Sequence, residues 1–394
     1  MFEKLSLVPS DSILKLITEY KKDDRADKID LGVGVFRDSS GQTPIMSVIK
    51  EAEAYLIESQ KSKAYIGLAG DENFNSGMQK LILGDSAVPV ERLFTIQTAG
   101  GSNSLRMATE LIKVSSPDIT IWVSEPTWNN HIPILNSAGV KSKQYPYYNN
   151  IDNQLNFEGM IECLESIPSG DVILLQACCH NPTGMDPTLN QWKKIIEVIT
   201  ERNLLPFIDC AYQGLANGLE EDAIAIRLMA ESVDELIVSS SCSKNFGLYR
   251  DRVGALTVLS KNANSTINTR SNALRIARTM CSMPPDHGAA AVSYILSNES
   301  LSEKWTIELD AVRHRLKDMR VQLQNELAER TNGADFSHIV KANGMFSYLG
   351  VSSNQVQILK EEYGIYMEGS GRINVAGITK TNVFYLADSV AAVL

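Results

Sequence analysis

Short apolar runs alternate with longer amphipathic stretches through the middle of this chain. The runs at 119–123, 172–177, 204–208, 236–240 and 253–259 are rich in Ile, Val and Leu, and unbroken runs of this length predict strands buried on both faces. Between them, 187–202 and 222–231 place apolar residues at helical spacing and predict crossover helices. Strand, helix, strand in repetition implies an α/β fold with a mostly parallel sheet covered on both faces. After Pro284 and Pro285 the pattern changes. Residues 301–329 carry Leu309, Val312, Leu316, Met319 and Leu323 at helical spacing, followed by an expected strand at 345–351 and a closing helix from Lys380. This later region is expected to pack with the N-terminal segment. Residues 44–310 then form a large domain, and 1–43 with 311–394 a small α/β domain.

Composition narrows the possibilities. The chain has 394 residues, 44% hydrophobic and 21% charged, enough for a large core and a smaller partner domain. A net charge of -10 opposes a phosphate backbone and no Lys/Arg stripe overrides it, so no nucleic-acid partner is expected. No segment approaches the roughly 18 uninterrupted apolar residues of a membrane span. Residues 1–12 include Glu3 and lack a basic region followed by an apolar run, so neither a membrane association nor a secretory leader is expected. Six cysteines fall without CxxC spacing, which reads as reduced thiols of a cytoplasmic protein; no metal is expected.

Candidate chemistry concentrates after the run at 236–240, in Ser241-Cys242-Ser243-Lys244-Asn245-Phe246-Gly247-Leu248-Tyr249-Arg250-Asp251-Arg252. A lysine at a strand end among small hydroxyl residues is either an ordinary solvated side chain or a desolvated amine able to attack an aldehyde. Serine hydroxyls and the planar fork of Arg252 suit a phosphate dianion. Together these groups fit a ligand that is both an aldehyde and a phosphate ester. Upstream, His180-Asn181-Pro182-Thr183-Gly184 follows one strand, Asp209 ends another, and Tyr212 lies just beyond it. Strand C-termini of a parallel sheet converge on one ligand edge, where Asp209 would hold a pyridine nitrogen protonated and Tyr212 and Asn181 would reach a phenolic oxygen. The alternative for Asp209 is a helix N-cap.

The HNPTG turn, the Asp209-x-x-Tyr212 pair and the Ser-x-Ser-Lys run ending at Arg252 resemble class I aminotransferases of the aspartate/aromatic branch, which have the type I fold of pyridoxal-5'-phosphate enzymes. Gly32-Val33-Gly34-Val35 and Gly371-Arg372-Ile373-Asn374 extend the resemblance over essentially the whole chain. It implies a large cofactor-binding domain with a mostly parallel seven-stranded sheet. It makes Lys244 the Schiff-base lysine and, with Asp209 and Tyr212, the catalytic set. Arg252, Ser241 and Ser243 would bind phosphate, as would Gly100-Gly101-Ser102, where the strand at 93–98 opens into a helix whose N-terminal N–H groups form a cradle. Trp128 would stack on the cofactor ring, His131 would support Asp209, and Asn181 would contact both ring and substrate. For the substrate, the resemblance assigns Arg372 to the α-carboxylate and Gly34 to the backbone lying over it, with Trp128 and Asn181 also in contact. Tyr65 would reach the phosphate of a neighbouring subunit, and Arg278 would cross to a side-chain carboxylate, which implies a homodimer with shared active sites. The implied reaction moves an amino group from L-aspartate or aromatic L-amino acids to 2-oxoglutarate in a ping-pong cycle between pyridoxal and pyridoxamine phosphate.

Three positions depart from the pattern. Gln176 stands where many relatives have a histidine near Asp209, Met283 where aspartate-specific relatives carry asparagine, and Ala64 where an asparagine is common. The last two predict a more apolar substrate pocket. The nearest rival is another type I enzyme such as a β-lyase or decarboxylase, because Lys, Asp and Tyr activate Cα in all of them. A cofactor-binding regulator fused to a DNA-binding domain fails on layout, since the resemblance starts within the first few dozen residues. A dinucleotide-dependent dehydrogenase is weak because Gly32-Val33-Gly34 is followed by Arg37 where a third glycine is required.

Overall fold

The computed structural model of the chain describes residues 1–7 and 12–394; residues 8–11 of the N-terminal stretch read above lie outside them. Its centre is a seven-stranded sheet. In chain order the strands are β1 (Leu93–Thr98), β2 (Thr120–Glu125), β3 (Lys141–Pro146), β4 (Val172–Gln176), β5 (Leu205–Cys210), β6 (Leu236–Ser241) and β7 (Gly254–Leu259). Side by side they run β1-β7-β6-β5-β4-β2-β3. β7 is antiparallel to both its neighbours and every other pairing is parallel. The five expected apolar runs form β2, β4, β5, β6 and β7, each within two residues of its predicted bounds.

Residues alternate across the sheet, so successive apolar side chains enter different cores. Ile173, Leu175 and Ile208 join one core with Val238 and Ala255. Val172, Leu174 and Phe207 join a second with Ile237 and Leu256. The helix expected at 187–202 spans Leu189–Arg202, because Thr188 and Gln191 form a capping box that fixes its first turn. Asn203 ends it in the left-handed region at φ 52°.

A third core joins Ile29 and Leu31 to Ile365, Ile373, Leu386 and Val390. The long helix expected at 301–329 spans Glu299–Arg330 and serves two cores in turn. Leu301, Trp305, Leu309 and Leu316 enter the first, whereas Met319, Leu323 and Leu327 enter the third. The strand expected at 345–351 is only Phe346–Tyr348, because the strand it pairs with, Arg372–Asn374, has three residues and the ladder cannot outrun its partner. The closing helix spans Val383–Val393 rather than starting at Lys380. Thr379 and Asn382 exchange side-chain and backbone hydrogen bonds and hold residues 379–382 in a turn ahead of it. Among the described residues no helix is long and apolar enough to cross a membrane.

Candidate active site

Strand register decides which side chains meet. Gln176 pairs with Asp209 and Asp209 with Ser239, while Gly254 lies between Ser241 and Thr98. The C-terminal ends of β4, β5, β6 and β1 therefore share one edge, and a cavity of ≈ 230 Å³ opens there. Gly34, Gly101, Ser102, Trp128, Asn181, Asp209, Tyr212, Ser241, Ser243, Lys244 and Arg252 all line it. These residues are as far apart in sequence as 34 and 252, and the sheet brings them together.

Lys244 Nζ sits 4.7 Å from the centre of the Tyr212 ring. Burial lowers its amine from an ordinary 10.5 to about 8, with the Asp209 carboxylate pulling the other way and Arg252 adding to the fall. A larger share of the amine is then neutral and nucleophilic near neutral pH than in a solvated lysine. In the ligand-free protein, acylation of Lys244 by an amine-specific reagent is expected to rise with pH through about 8, not above 10, as read by peptide mass analysis. A midpoint above 10 would place the amine in solvent.

Asp209 is 7% exposed and caps no helix. One carboxylate oxygen meets His131 Nε2 at 3.0 Å, and His131 Nδ1 meets Thr127 Oγ1 at 2.7 Å. Trp128 packs edge-on against the same imidazole, ring centres 5.3 Å apart. Burial raises the Tyr212 phenol far above its ordinary value, assisted by the Asp209 charge and opposed by Arg372. An apolar, electronegative setting thus keeps Tyr212 protonated.

The opposite end of the cavity is cationic and lined with donors. Gly100 at φ 79° caps the helix Gly101–Ser115, which presents its free N–H groups to the cavity. A Cβ at Gly100 would lie 2.4 Å from Arg252 Nη2, and one at Gly101 3.0 Å from Ser241 Cβ, so glycines allow the close approach. Arg252 Nη1 donates to the Tyr249 carbonyl at 2.9 Å and to Ser243 Oγ at 3.4 Å. Arg252, the serines and the helix end could hold a phosphate, and Asp209 across the cavity could hold a protonated ring nitrogen. These donors fit a phosphorylated pyridine aldehyde with Lys244 between the two ends.

Arg372 is 6% exposed and, among the described residues, its cation forms no ion pair with a carboxylate. Its Nη1 donates to Asn181 Oδ1 at 3.2 Å, its Nη2 to the Gly32 carbonyl at 3.0 Å, and its Nε has no hydrogen-bond partner among the described residues. The guanidinium lies 4.4 Å from the centre of the Phe346 ring. A buried, incompletely satisfied arginine is a strong site for an incoming carboxylate. Phe346 also explains Gly34, since a Cβ there would come within 2.8 Å of the ring. Arg320 fixes the Phe346 segment by donating to the carbonyls of Ile339, Asn343, Gly344 and Phe346, while Asn343 bonds Gly184 and Asp186 of the turn that bears Asn181.

Tyr65 and Arg278 do not reach this cavity. Both are exposed, Tyr65 to 89%. Ala64 and Met283 line a separate surface groove of ≈ 350 Å³, where the Ile66 N–H meets Met283 Sδ at 3.2 Å. Sequence reasoning passed over Thr127, Phe346 and Tyr249. The last lines the cavity, and its hydroxyl accepts from the Phe36 N–H at 2.8 Å, tying down the loop that carries Gly34. Thr127 could have been found from its i, i+4 spacing to His131; Phe346 had no local signal.

Comparison with known proteins gives a consistent result. A sequence profile of the family described as Aminotransferase class I and II matches residues 26–390. The chain is 43% identical to the aspartate aminotransferase of Salmonella typhi over 396 residues, covering 100% of both chains. It is 45% identical to the aromatic-amino-acid aminotransferase of Pseudomonas aeruginosa, covering 100% of this chain and 98% of that one. Among solved structures, the aromatic-amino-acid aminotransferase of Burkholderia pseudomallei, covalently bound to pyridoxal phosphate, superposes with a TM-score of 0.97 at 38% identity, covering 100% of this chain and 99% of that one.

Proposed function

Given that the chain belongs to the class I and II aminotransferases, we propose that it moves the amino group of L-aspartate and of aromatic L-amino acids to 2-oxoglutarate, with pyridoxal 5'-phosphate as its cofactor and a ping-pong cycle. The observation that carries this reading is the convergence of Lys244, Asp209 and Arg252 on one cavity, with Arg372 one hydrogen bond away through Asn181. When bound, the cofactor supplies an aldehyde that condenses with amines and a ring that accepts electrons from Cα.

The chain's residues would do the rest. Arg252, Ser241, Ser243 and the N–H groups at Gly101 and Ser102 hold the phosphate, and Trp128 covers the ring. Asp209, kept in place by His131, holds the proton on the ring nitrogen. Tyr212 and Asn181 donate to the phenolic oxygen. Arg372 grips the substrate α-carboxylate, with Gly34 leaving room above it. Lys244 Nζ takes the proton from the substrate Cα, a task suited to an amine whose affinity for protons is depressed towards neutrality.

Tyr65 and Arg278 point to a homodimer in this reading, since they lie exposed outside their own cavity and would complete that of the partner. The third core supports a small domain made of 1–43 and 311–394, set against a large domain of 44–310. The long helix changes core between Leu316 and Met319, a few residues past that boundary.

Substrate choice supplies the test. Arg278 would pair with the side-chain carboxylate of aspartate through a charge-assisted bond, and would have to turn to solvent for an aromatic side chain. Met283 and Ala64 provide a deformable wall and extra room. Arg278→Leu is expected to lower kcat/KM for aspartate about a hundredfold, equivalent to about 3 kcal/mol, and to leave phenylalanine little changed. Because 2-oxoglutarate would use the same arginine, single-turnover half-reactions from the pyridoxal form are the measurement. Equal losses for both donors would make Arg278 structural, and a wild-type protein inert to phenylalanine would leave aspartate alone as donor.

A further inference from the structure

Gln176, the last residue of β4, lines the cavity and is 7% exposed. Both its amide atoms are committed to the backbone of one residue. The Asn181 N–H donates to Gln176 Oε1 at 2.8 Å, and Gln176 Nε2 donates to the Asn181 carbonyl at 3.0 Å. Two residues in an antiparallel ladder exchange the same pair of bonds, so this side chain acts as a one-residue strand for Asn181. A histidine could not imitate it, because a neutral imidazole has one donor and one acceptor on diverging ring positions. Asp209 is not the group Gln176 holds; its protein partner is His131.

Asn181 is a junction. Its side-chain oxygen accepts from Arg372 Nη1, and its carboxamide also faces the Tyr212 hydroxyl. With backbone N–H and C=O both fixed, only the two side-chain torsions of Asn181 remain free, and the Arg372 contact restrains those. Small displacements at such a point carry a large kinetic cost, because the catalytic geometry tolerates about 1 Å or less.

We propose that Gln176 is a positioning residue: it sets the backbone of Asn181, and through the Asn181 carboxamide it aims Arg372 at the substrate carboxylate. This rests on the reading of Arg372 as the carboxylate grip. Gln176 in this chain thereby serves the substrate end of the cavity instead of the ring-nitrogen end.

The test is calorimetric binding of succinate, a dicarboxylate with no amino group to transfer, to the pyridoxal-phosphate-loaded protein. Gln176→Leu is expected to weaken succinate about tenfold, and Gln176→Met, which matches the side-chain length and keeps neither donor nor strong acceptor, by a similar factor. Steady-state loss should fall on KM more than on kcat, with the stoichiometry of bound cofactor unchanged. Asn181→Ala should also weaken succinate, and Gln176→Leu/Asn181→Ala should be no weaker than Asn181→Ala within about twofold, since residues acting through one another are not additive. Unchanged succinate binding in both Gln176 variants, fully additive losses in the double variant, or a change confined to the cofactor absorbance would each overturn the proposal. Should the leucine variant not fold, the near-isosteric methionine variant decides alone. Wild-type protein that takes up the cofactor but shows no succinate binding would remove the reading of Arg372, and this inference with it.

Discussion

Lys244→Ala is expected to lower turnover by a factor on the order of 10⁶, the scale seen when the one covalent group of an enzyme is removed. The amine lines the cavity: the Tyr212 ring lies 4.7 Å away, and the charges of Asp209 and Arg252 act on its proton affinity in opposite directions. Folding should survive the change. In the cofactor-free protein, an amine whose proton affinity is lowered to about 8 from 10.5 opposes folding at pH 7. That penalty is full below about 8 and fades as pH rises towards 10.5, so the alanine variant should match or exceed wild type in Tm at neutral pH. Arg252 and Asp209 remain, and the variant is expected to bind pyridoxal 5'-phosphate without the pH-sensitive absorbance of the lysine-linked form. The measurements are coupled-assay turnover and a visible spectrum from pH 5 to 9. Turnover within about tenfold of wild type would remove Lys244 from the chemistry.

Asp209→Ala should lower kcat at least about a thousandfold, because without the buried carboxylate the ring nitrogen would not stay protonated and the ring would accept electrons from Cα far less well. Its role is distinguishable from bulk packing. Asp209→Glu keeps the charge and should recover part of the rate, whereas His131→Ala removes only the brace and should cost about tenfold. A second readout follows from electrostatics. Asp209 raises the proton affinity of Lys244, so in the ligand-free alanine variant the acylation midpoint of Lys244 should move below about 8. Single-turnover rates with aspartate, taken with that midpoint, check both parts. A rate loss under about tenfold, with an unmoved midpoint, would leave Asp209 a structural residue.

These two residues illustrate how unevenly the site was legible. The Ser-x-Ser-Lys run and the HNPTG turn are contiguous, so local chemistry and resemblance pointed to Lys244, Arg252 and Asn181 before any fold was known. Gln176 was noticed only as a departure from a pattern. Its partner could not be read, because a glutamine offers a donor and an acceptor to anything within reach and only the backbone path from Cys178 to Asn181 selects one. Arg320 reads as one more polar residue on a long helix, yet it is 1% exposed and binds four carbonyls of residues 339–346. Burial pushes its guanidinium down to about 10.

The sequence by itself determined the kind of elements and their approximate limits. Short, β-branched apolar runs read as buried strands, and a capping box starts a helix where it stands, because both signals act over a few residues. β3 escaped notice for the same reason. Its Lys141-Ser142-Lys143-Gln144 is polar, as befits an edge strand with few faces to bury, and it became a strand only by pairing with β2. The tertiary structure alone decided strand order, the antiparallel insertion of β7 and the register that sets Gln176 beside Asp209. It alone decided that Arg372 is buried against Phe346 and Asn181, and that Tyr65 and Arg278 are exposed and do not line the cavity of their own chain. Those outcomes follow from which long-range pairings bury the most apolar surface while satisfying every backbone donor, a sum over the whole chain that no local window contains.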